Sequence, residues 1–274
     1  MGKQEVPLKL ALFKIVYLPT LLFNMEAWGR ISTGELKDLE AAQGNAIKRL
    51  LNVPSSTSYH GIRNETGIWK VEHQLMYKRL MLYHNIINSN DDRVVKKLVV
   101  EQQKYVVKKS WMEKIKEDAE YVGLQIADFK KELKSSIKKK IKSAIEEKEK
   151  KWMEENITTK MRTVTKIGWG TKNYLKGEFS GDEVTDILKT KLHMNLFRGN
   201  YKHEGGSIEC RLCRNEEETT EHIFTNCHIL RAVRERIEVT ENTLESDQKD
   251  ECEKIVRFKR KCDLFLKPLP NKIE

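Results

Sequence analysis

Three cysteines and one histidine lie close together in the last third of the sequence, with the spacing Cys210-x2-Cys213-x8-His222-x4-Cys227. Thiolate and imidazole are ligands that zinc prefers, and three thiolates with one imidazole complete a tetrahedral site. The pattern therefore predicts one structural zinc ion, with no open position for a catalytic water. His228 is the alternative fourth ligand, because it directly follows Cys227.

The spacing also predicts how the backbone presents these ligands. The x2 gap favours a tight turn that directs both thiols to one point, and the x4 gap places His222 and Cys227 on one side of a helical turn. The four glutamates of the intervening segment 214–221 predict a solvated loop. We expect Cys227 to complete the site and His228 to be exposed.

The sequence lacks several motifs that are typical of enzymes. It contains no glycine-rich phosphate loop, no nucleophile elbow and no HExxH motif. The aspartate pair Asp91-Asp92 lies in a polar stretch typical of a helix boundary, so we do not expect it to bind catalytic metals. The lone histidines His60, His73, His84 and His193 are interpreted as surface or packing residues. We therefore expect no catalytic activity from this chain.

The overall charge indicates the class of partner. The chain has 51 Lys and Arg against 41 Asp and Glu, a formal net charge of +10, which favours polyanions and nucleic acid above all. The apolar stretch Val6–Trp28 is interrupted by Lys9, Lys14 and Pro19, so it predicts neither a secretory signal nor a membrane span. We expect an intracellular protein, nuclear or cytoplasmic and not secreted, in which a metal site is favoured over disulfides.

The N-terminal third predicts three helices. Pro7 suits a first helical turn, and Pro19 should break or kink this helix near Tyr17. Ser32 and Glu35 form a capping box that starts a second helix, which ends near residue 51. A Ser-, Thr- and Gly-rich loop is predicted over 54–67 and a third helix over 69–87.

The middle of the chain is rich in lysine, with ten Lys and four Glu over Lys130–Lys151. Apolar residues recur there mostly every fourth position, which predicts a long basic helix with a narrow apolar stripe. The stripe is Phe129, Leu133, Ile137, Ile141, Ile145 and Trp152. It packs either on the rest of the protein or on a partner helix, and the lysines either contact phosphates or are simply solvated.

The remaining segments are shorter. Gly168-Trp169-Gly170 predicts a turn, and Gly181-Asp182-Glu183 predicts the cap of a helix over 184–196. A charged helix is expected near His228–Glu238, followed by a polar tail. The predicted fold is mainly α, a helical thumb-like bundle with long basic helices and a small zinc knuckle. Its predicted segments are a helical region at 1–92, a lysine-rich helical linker at 93–160, a small helical region at 161–207, the knuckle at 208–232 and a charged tail at 233–274.

Several strings, taken in order, resemble the C-terminal part of non-LTR retrotransposon reverse transcriptases. The strings PLKLALFKIVYLPTLLFNMEAW at 7–28 and ELKDLEAAQGNAIKRLL at 35–51 resemble the thumb that follows the catalytic palm. The string ILKTKLHMNLFRGN at 187–200, followed by the cysteine and histidine cluster, resembles the knuckle that ends many of these polymerases. The resemblance covers roughly residues 1–90 and 160–230.

The resemblance implies nucleic-acid binding and no catalysis, because the family's palm, with its aspartate pair, and its endonuclease would precede this segment. Thumb helices in the family hold the template–primer duplex, and the knuckle contacts nucleic acid. The implied partner is RNA or DNA, bound without sequence specificity, and the alternatives are a helical protein-interaction module or a relic without function. The candidate contacts are Lys37, Lys48, Arg49, Lys138, Lys139, Lys140, Arg211 and Arg214.

Overall fold

The structure is a computed structural model that describes residues 5–105, 107–156, 166, 168–204 and 206–266. The described chain is mainly α-helical, as predicted, and its extended pairings are two isolated bridges, Thr66 with Thr171 and Glu209 with Glu217. The α-helices are α1 Glu5–Leu12, α2 Leu18–Leu21, α3 Thr33–Leu50, α4 Tyr59–Thr66, α5 Val71–Ile87, α6 Val94–Lys104, α7 Trp111–Tyr121, α8 Asp128–Lys131, α9 Lys134–Glu155, α10 Gly181–Lys191, α11 Arg231–Ile237, α12 Glu241–Leu244 and α13 Lys249–Phe265.

The predicted start of the second helix is confirmed at α3. The Glu35 carboxylate accepts from the Ser32 backbone N–H at 2.8 Å, and the Glu35 N–H donates to the Ser32 hydroxyl at 3.2 Å. The predicted break or kink near Tyr17 corresponds to a change of helix type, because α1 ends at Leu12 and a π-helical turn follows over Phe13–Tyr17. The chain then continues into α2, which has Pro19 in its first turn.

The predicted helix over 184–196 is displaced. Ser180 and Glu183 form the capping box, so α10 begins at Gly181, three residues before the predicted start. The helix ends at Lys191, because His193 takes a left-handed conformation (φ 55°). The Met194 N–H then closes the end of the helix on the Lys189 carbonyl at 2.6 Å. The apolar residues up to 196 therefore belong to a turn.

The prediction of a loop over 54–67 is wrong, because this stretch contains α4. The Ser58 hydroxyl caps the helix by accepting from the Gly61 N–H at 3.2 Å, and Gly67 ends it with a left-handed φ of 63°. The buried face of α4 is largely polar and includes Arg63 and Glu65. A helix that buries polar side chains has no apolar periodicity in its sequence, which is the signal that the prediction relied on.

The chain divides into two compact units. Unit 1 comprises Met1–Ala11, Asn45–Ile68 and Met153–Glu274, and unit 2 comprises Leu12–Gly44 and Trp69–Trp152. The boundary predicted between residues 160 and 161 and the end of the predicted tail, 267–274, lie outside the described residues. None of the helices in the described ranges is both long and apolar enough to cross a membrane.

The core of unit 2 is built around α5, which contacts α6, α7 and α8. The predicted apolar stripe contributes to it, since Ile137, Ile141 and Ile145 of α9 are fully buried there together with Phe129 of α8. Leu133 is wrongly assigned to the stripe. It lies in the break between α8 and α9 and is 78% exposed.

Unit 1 packs α13 against α10, α11 and α12. Phe258 of α13 meets Phe224 edge to face, with ring centroids 4.8 Å apart. The prediction of a polar tail is therefore wrong for 249–265. The buried side of α13 includes Cys252, Ile255 and Cys262, so this charged helix is amphipathic and belongs to the core.

Candidate metal centre

The four predicted ligands come together in unit 1. Cys210, Cys213, His222 and Cys227 each offer one ligand atom, and these atoms all lie within 4.8 Å of one another. The Cys210 and Cys227 sulfurs are 4.0 Å apart, and the Cys213 sulfur is 3.3 Å from His222 Nε2. A tetrahedral zinc ion requires about 3.8 Å between two sulfurs and about 3.6 Å between sulfur and nitrogen. The cluster can therefore bind one metal ion.

Backbone hydrogen bonds shape the cysteine turn. The Arg214 N–H donates to the Cys210 carbonyl at 2.9 Å, and Arg214 has the left-handed φ of 57° that closes the turn. The Cys210 N–H donates to the Glu216 carbonyl at 2.8 Å, which pairs the two sides of the loop. The predicted tight turn is thus confirmed.

The other ligand pair lies on a single helical turn. His222 begins a π-helical turn, His222–Asn226, and the Cys227 N–H donates to the His222 carbonyl at 2.7 Å. This bond spans five residues, so the x4 gap returns Cys227 to the same side of the turn as His222. His228 is exposed and lies outside the cluster, as predicted.

Each cysteine sulfur accepts backbone N–H bonds from the residues two and three positions further along the chain. The donors are Leu212 and Cys213 for Cys210, Asn215 and Glu216 for Cys213, and Ile229 and Leu230 for Cys227. Peptide N–H groups directed at sulfur stabilise thiolate over thiol. The same local geometry at all three cysteines is therefore suited to three thiolates around a cation.

The pKa values of the thiols differ with their surroundings. At Cys213, burial acts to raise the pKa, but hydrogen bonds with the Asn215 and Glu216 backbone and with the Cys210 and His222 side chains together lower the pKa to about 7. Burial raises the pKa of Cys227 to about 12, and it also raises the pKa of Cys210. A bound metal ion would supply the positive charge that keeps these two buried sulfurs ionised.

A carboxylate orients the histidine ligand. Glu216 Oε2 lies 2.8 Å from His222 Nδ1, which leaves Nε2 to face the three sulfurs. Carboxylate–histidine–metal contacts of this kind fix the imidazole tautomer and increase its basicity as a ligand. Glu216 therefore belongs to the site, although the sequence suggested only a solvated loop.

A second glutamate of this loop is fully buried, which corrects the prediction that 214–221 is solvated throughout. Glu218 is 0% exposed, and its carboxylate accepts from Arg211 Nη2 at 2.6 Å and Nε at 2.9 Å. It also accepts from the backbone N–H groups of Arg211 at 2.8 Å and Arg198 at 3.2 Å. Glu218 thus joins the cysteine turn to the segment beginning at Arg198, and neither contact was evident from the sequence.

The predicted nucleic-acid contacts have different environments. Arg211 is half-buried in its pair with Glu218, and Lys48 is half-buried with its ammonium 2.7 Å from the Ser55 carbonyl, where burial lowers its pKa. Lys140 pairs with Glu132 at 2.5 Å. The exposed candidates are Lys37, Arg49, Lys138, Lys139, Lys140 and Arg214. Their contacts with nucleic acid stay predictions.

Comparisons of this chain with protein-family models, with curated proteins and with solved structures found no match. The interpretation of the site therefore rests on its own geometry.

Proposed function

We propose that the chain binds nucleic acid without sequence specificity and that its cysteine and histidine cluster holds one structural zinc ion. We further propose that it is the C-terminal, thumb-like part of a non-LTR retrotransposon reverse transcriptase. The resemblance of the strings at 7–28, 35–51 and 187–200 supports this origin. No catalytic step is assigned to the chain, and its partner is RNA or DNA.

The observation that carries the binding proposal is the lysine-rich surface of unit 2. Residues 130–142 contain seven lysines and one acid, Glu132, and all seven lysines are exposed. Lys138, Lys139 and Lys140 lie together in the N-terminal half of α9. This cluster of lysines creates a positive field that attracts a phosphate backbone.

The alternative, a protein-interaction module, required the apolar stripe of α9 to be exposed for a partner helix. Ile137, Ile141 and Ile145 are buried within unit 2, so they are not available to a partner helix. An interaction module would need another apolar face. The exposed lysines therefore favour a polyanionic partner.

The binding proposal is tested by the salt dependence of the affinity for a fluorescent duplex. Each phosphate that is neutralised contributes a slope of about −0.9 to log K against log salt concentration. Changing Lys138, Lys139 and Lys140 to Gln should therefore make the slope shallower by up to about 2.7. The control changes three lysines of α13, Lys249, Lys254 and Lys261, to Gln. Absence of binding at low salt, or equal slopes for both triple variants, would contradict the proposal.

The zinc proposal is tested by metal analysis of the purified protein. We expect one zinc ion per chain, and its loss in the variants Cys210→Ser and Cys227→Ser. Cys252→Ser and Cys262→Ser are the controls, because these cysteines are buried in α13 outside the cluster. A chain that contains no zinc, or controls that lose it equally, would show that the cluster is not a zinc site.

A further inference from the structure

Unit 1 contains a cavity of about 520 Å³ beside the cysteine turn. It is lined by α10, by the turn that follows α10, by the end of α13 and by Pro54 and Arg211. Its apolar wall includes Pro54, Met194 and Leu196, and Leu196 is 54% exposed. Small-molecule sites typically have volumes of about 300–1,000 Å³ and combine apolar walls with a few polar groups, as this cavity does.

Hydrogen bonds fix the turn that forms one wall. The Asn200 side-chain amide donates to the Asn195 carbonyl at 2.9 Å, and Arg211 Nη2 lies 3.4 Å from the Leu196 carbonyl. The Phe197 N–H also donates to the Asn195 carbonyl, at 2.7 Å. A wall that is ordered before binding loses little conformational entropy when a ligand enters.

Two of the three basic side chains that line the cavity are engaged in ion pairs with carboxylates. Lys259 is paired with Asp263 at 2.6 Å and lies 3.9 Å from Asp186. Arg211 is engaged by the buried carboxylate of Glu218. Within the described part of the chain, the lining residue Lys189 makes no ion pair. The cavity thus offers an apolar wall, polar groups at its edge and one lysine ammonium.

We propose that this cavity receives one nucleotide of a single strand, with the base against Leu196 and the phosphate on Lys189. A nucleotide has a flat, largely apolar ring, hydrogen-bonding edges and one anionic group. These match the apolar wall of the cavity, the Asp186 carboxyl at its edge and the Lys189 ammonium. The Asp186 carboxylate lines the cavity and can accept a hydrogen bond from an amino group on a base edge. The inference rests on the proposed nucleic-acid binding and adds a preference for unpaired strands.

The test compares two identical substitutions on unit 1. Leu196→Glu places a charge in the cavity, whereas Leu264→Glu places the same charge on an exposed position of α13 that does not line it. Fluorescence anisotropy measures the binding of a short single-stranded RNA and of the same sequence as a duplex. We expect Leu196→Glu to weaken single-strand binding about tenfold, or ~1.4 kcal/mol, and to match Leu264→Glu on the duplex.

Photo-crosslinking of the single strand locates the contact directly, and crosslinked peptides should include residues 194–197. Equal effects of both substitutions on the single strand would overturn this inference and leave the lysine-based binding intact. Wild-type protein that binds neither probe would overturn both proposals.

Discussion

Replacing Glu218 by Gln tests whether the buried ion pair fixes the cysteine turn to the rest of unit 1. Glu218 is 0% exposed, and its carboxylate accepts from four N–H groups, three of them on Arg211. The change to Gln removes the charge that compensates the Arg211 guanidinium, whose side chain is only 16% exposed. Removing one partner of a buried ion pair costs about 3–5 kcal/mol. We expect Glu218→Gln to lower the free energy of unfolding by about 3 kcal/mol.

A double-mutant cycle separates the ion pair from other effects of the substitution. Arg211→Met leaves Glu218 charged and buried without its partner, so it should cost a similar amount. The double variant has neither charge, and replacing a whole buried ion pair is often close to neutral. It should therefore be more stable than the sum of the two single changes predicts, by about 2 kcal/mol.

The assay is urea unfolding of the zinc-loaded protein, followed by far-UV circular dichroism, with hydrogen exchange of residues 197–218 as the local measurement. Glu221→Gln is the matched control, because Glu221 belongs to the same loop and is exposed. The reasoning is refuted if Glu218→Gln and Glu221→Gln lie within about 0.5 kcal/mol of each other. It is also refuted if the costs of Glu218→Gln and Arg211→Met add within about 0.5 kcal/mol.

Three further substitutions have defined outcomes. Glu149→Ala should destabilise unit 2 by about 1–3 kcal/mol, because it removes a buried carboxylate that lies 2.8 Å from His73 Nδ1 and accepts from the Lys70 N–H at 2.8 Å. Exposed Glu147→Ala is the control, and equal melting temperatures would contradict the expectation. Gly199→Ala should destabilise unit 1 by about 1–3 kcal/mol. The Gly199 N–H donates to the Glu218 carbonyl at 2.9 Å, and an added Cβ would lie only 3.0 Å from that carbonyl oxygen. Gly34→Ala, in the first turn of α3, should instead gain about 0.5–1 kcal/mol in urea titrations, because an added Cβ would meet the Ser32 hydroxyl oxygen only at an ordinary 4.0 Å.

The features that the sequence predicts correctly depend on short-range rules. The residues of the metal cluster are defined by spacing within an 18-residue segment, and the Ser32 cap depends on contacts between residues three positions apart. The buried side chains of Ile137, Ile141 and Ile145 follow from helical periodicity alone. In each case the physical cause lies within a few turns of chain, so it can be recognised without knowledge of the tertiary structure.

The features that escape prediction depend on tertiary partners. Glu218 is buried because Arg211 and two backbone N–H groups surround its carboxylate, and a run of glutamates in the sequence does not show which of them has such partners. Helix α4 buries polar side chains, including Arg63 and Glu65, so the usual apolar signal is missing. Helix α13 was predictable in principle, because Cys252, Ile255 and Val256 lie at helical spacing. Cys252 and Cys262 contribute to the same buried side of the helix as small apolar side chains.

The knuckle at 208–232 and the lysine surface of α9 carry opposite net charges, which suits them to different functions. Residues 208–232 contain five acids and three Lys or Arg, a formal charge of −2 before the ligands ionise. Zinc with three thiolates and one neutral imidazole adds a further −1. A phosphate backbone would be repelled by this net charge, and Arg211 is already engaged by Glu218. The knuckle is therefore better suited to hold the wall at 194–197 in place than to contact a duplex backbone. We propose the exposed lysines of α9 for the duplex contact, and Lys189 for the phosphate of a single nucleotide in the cavity.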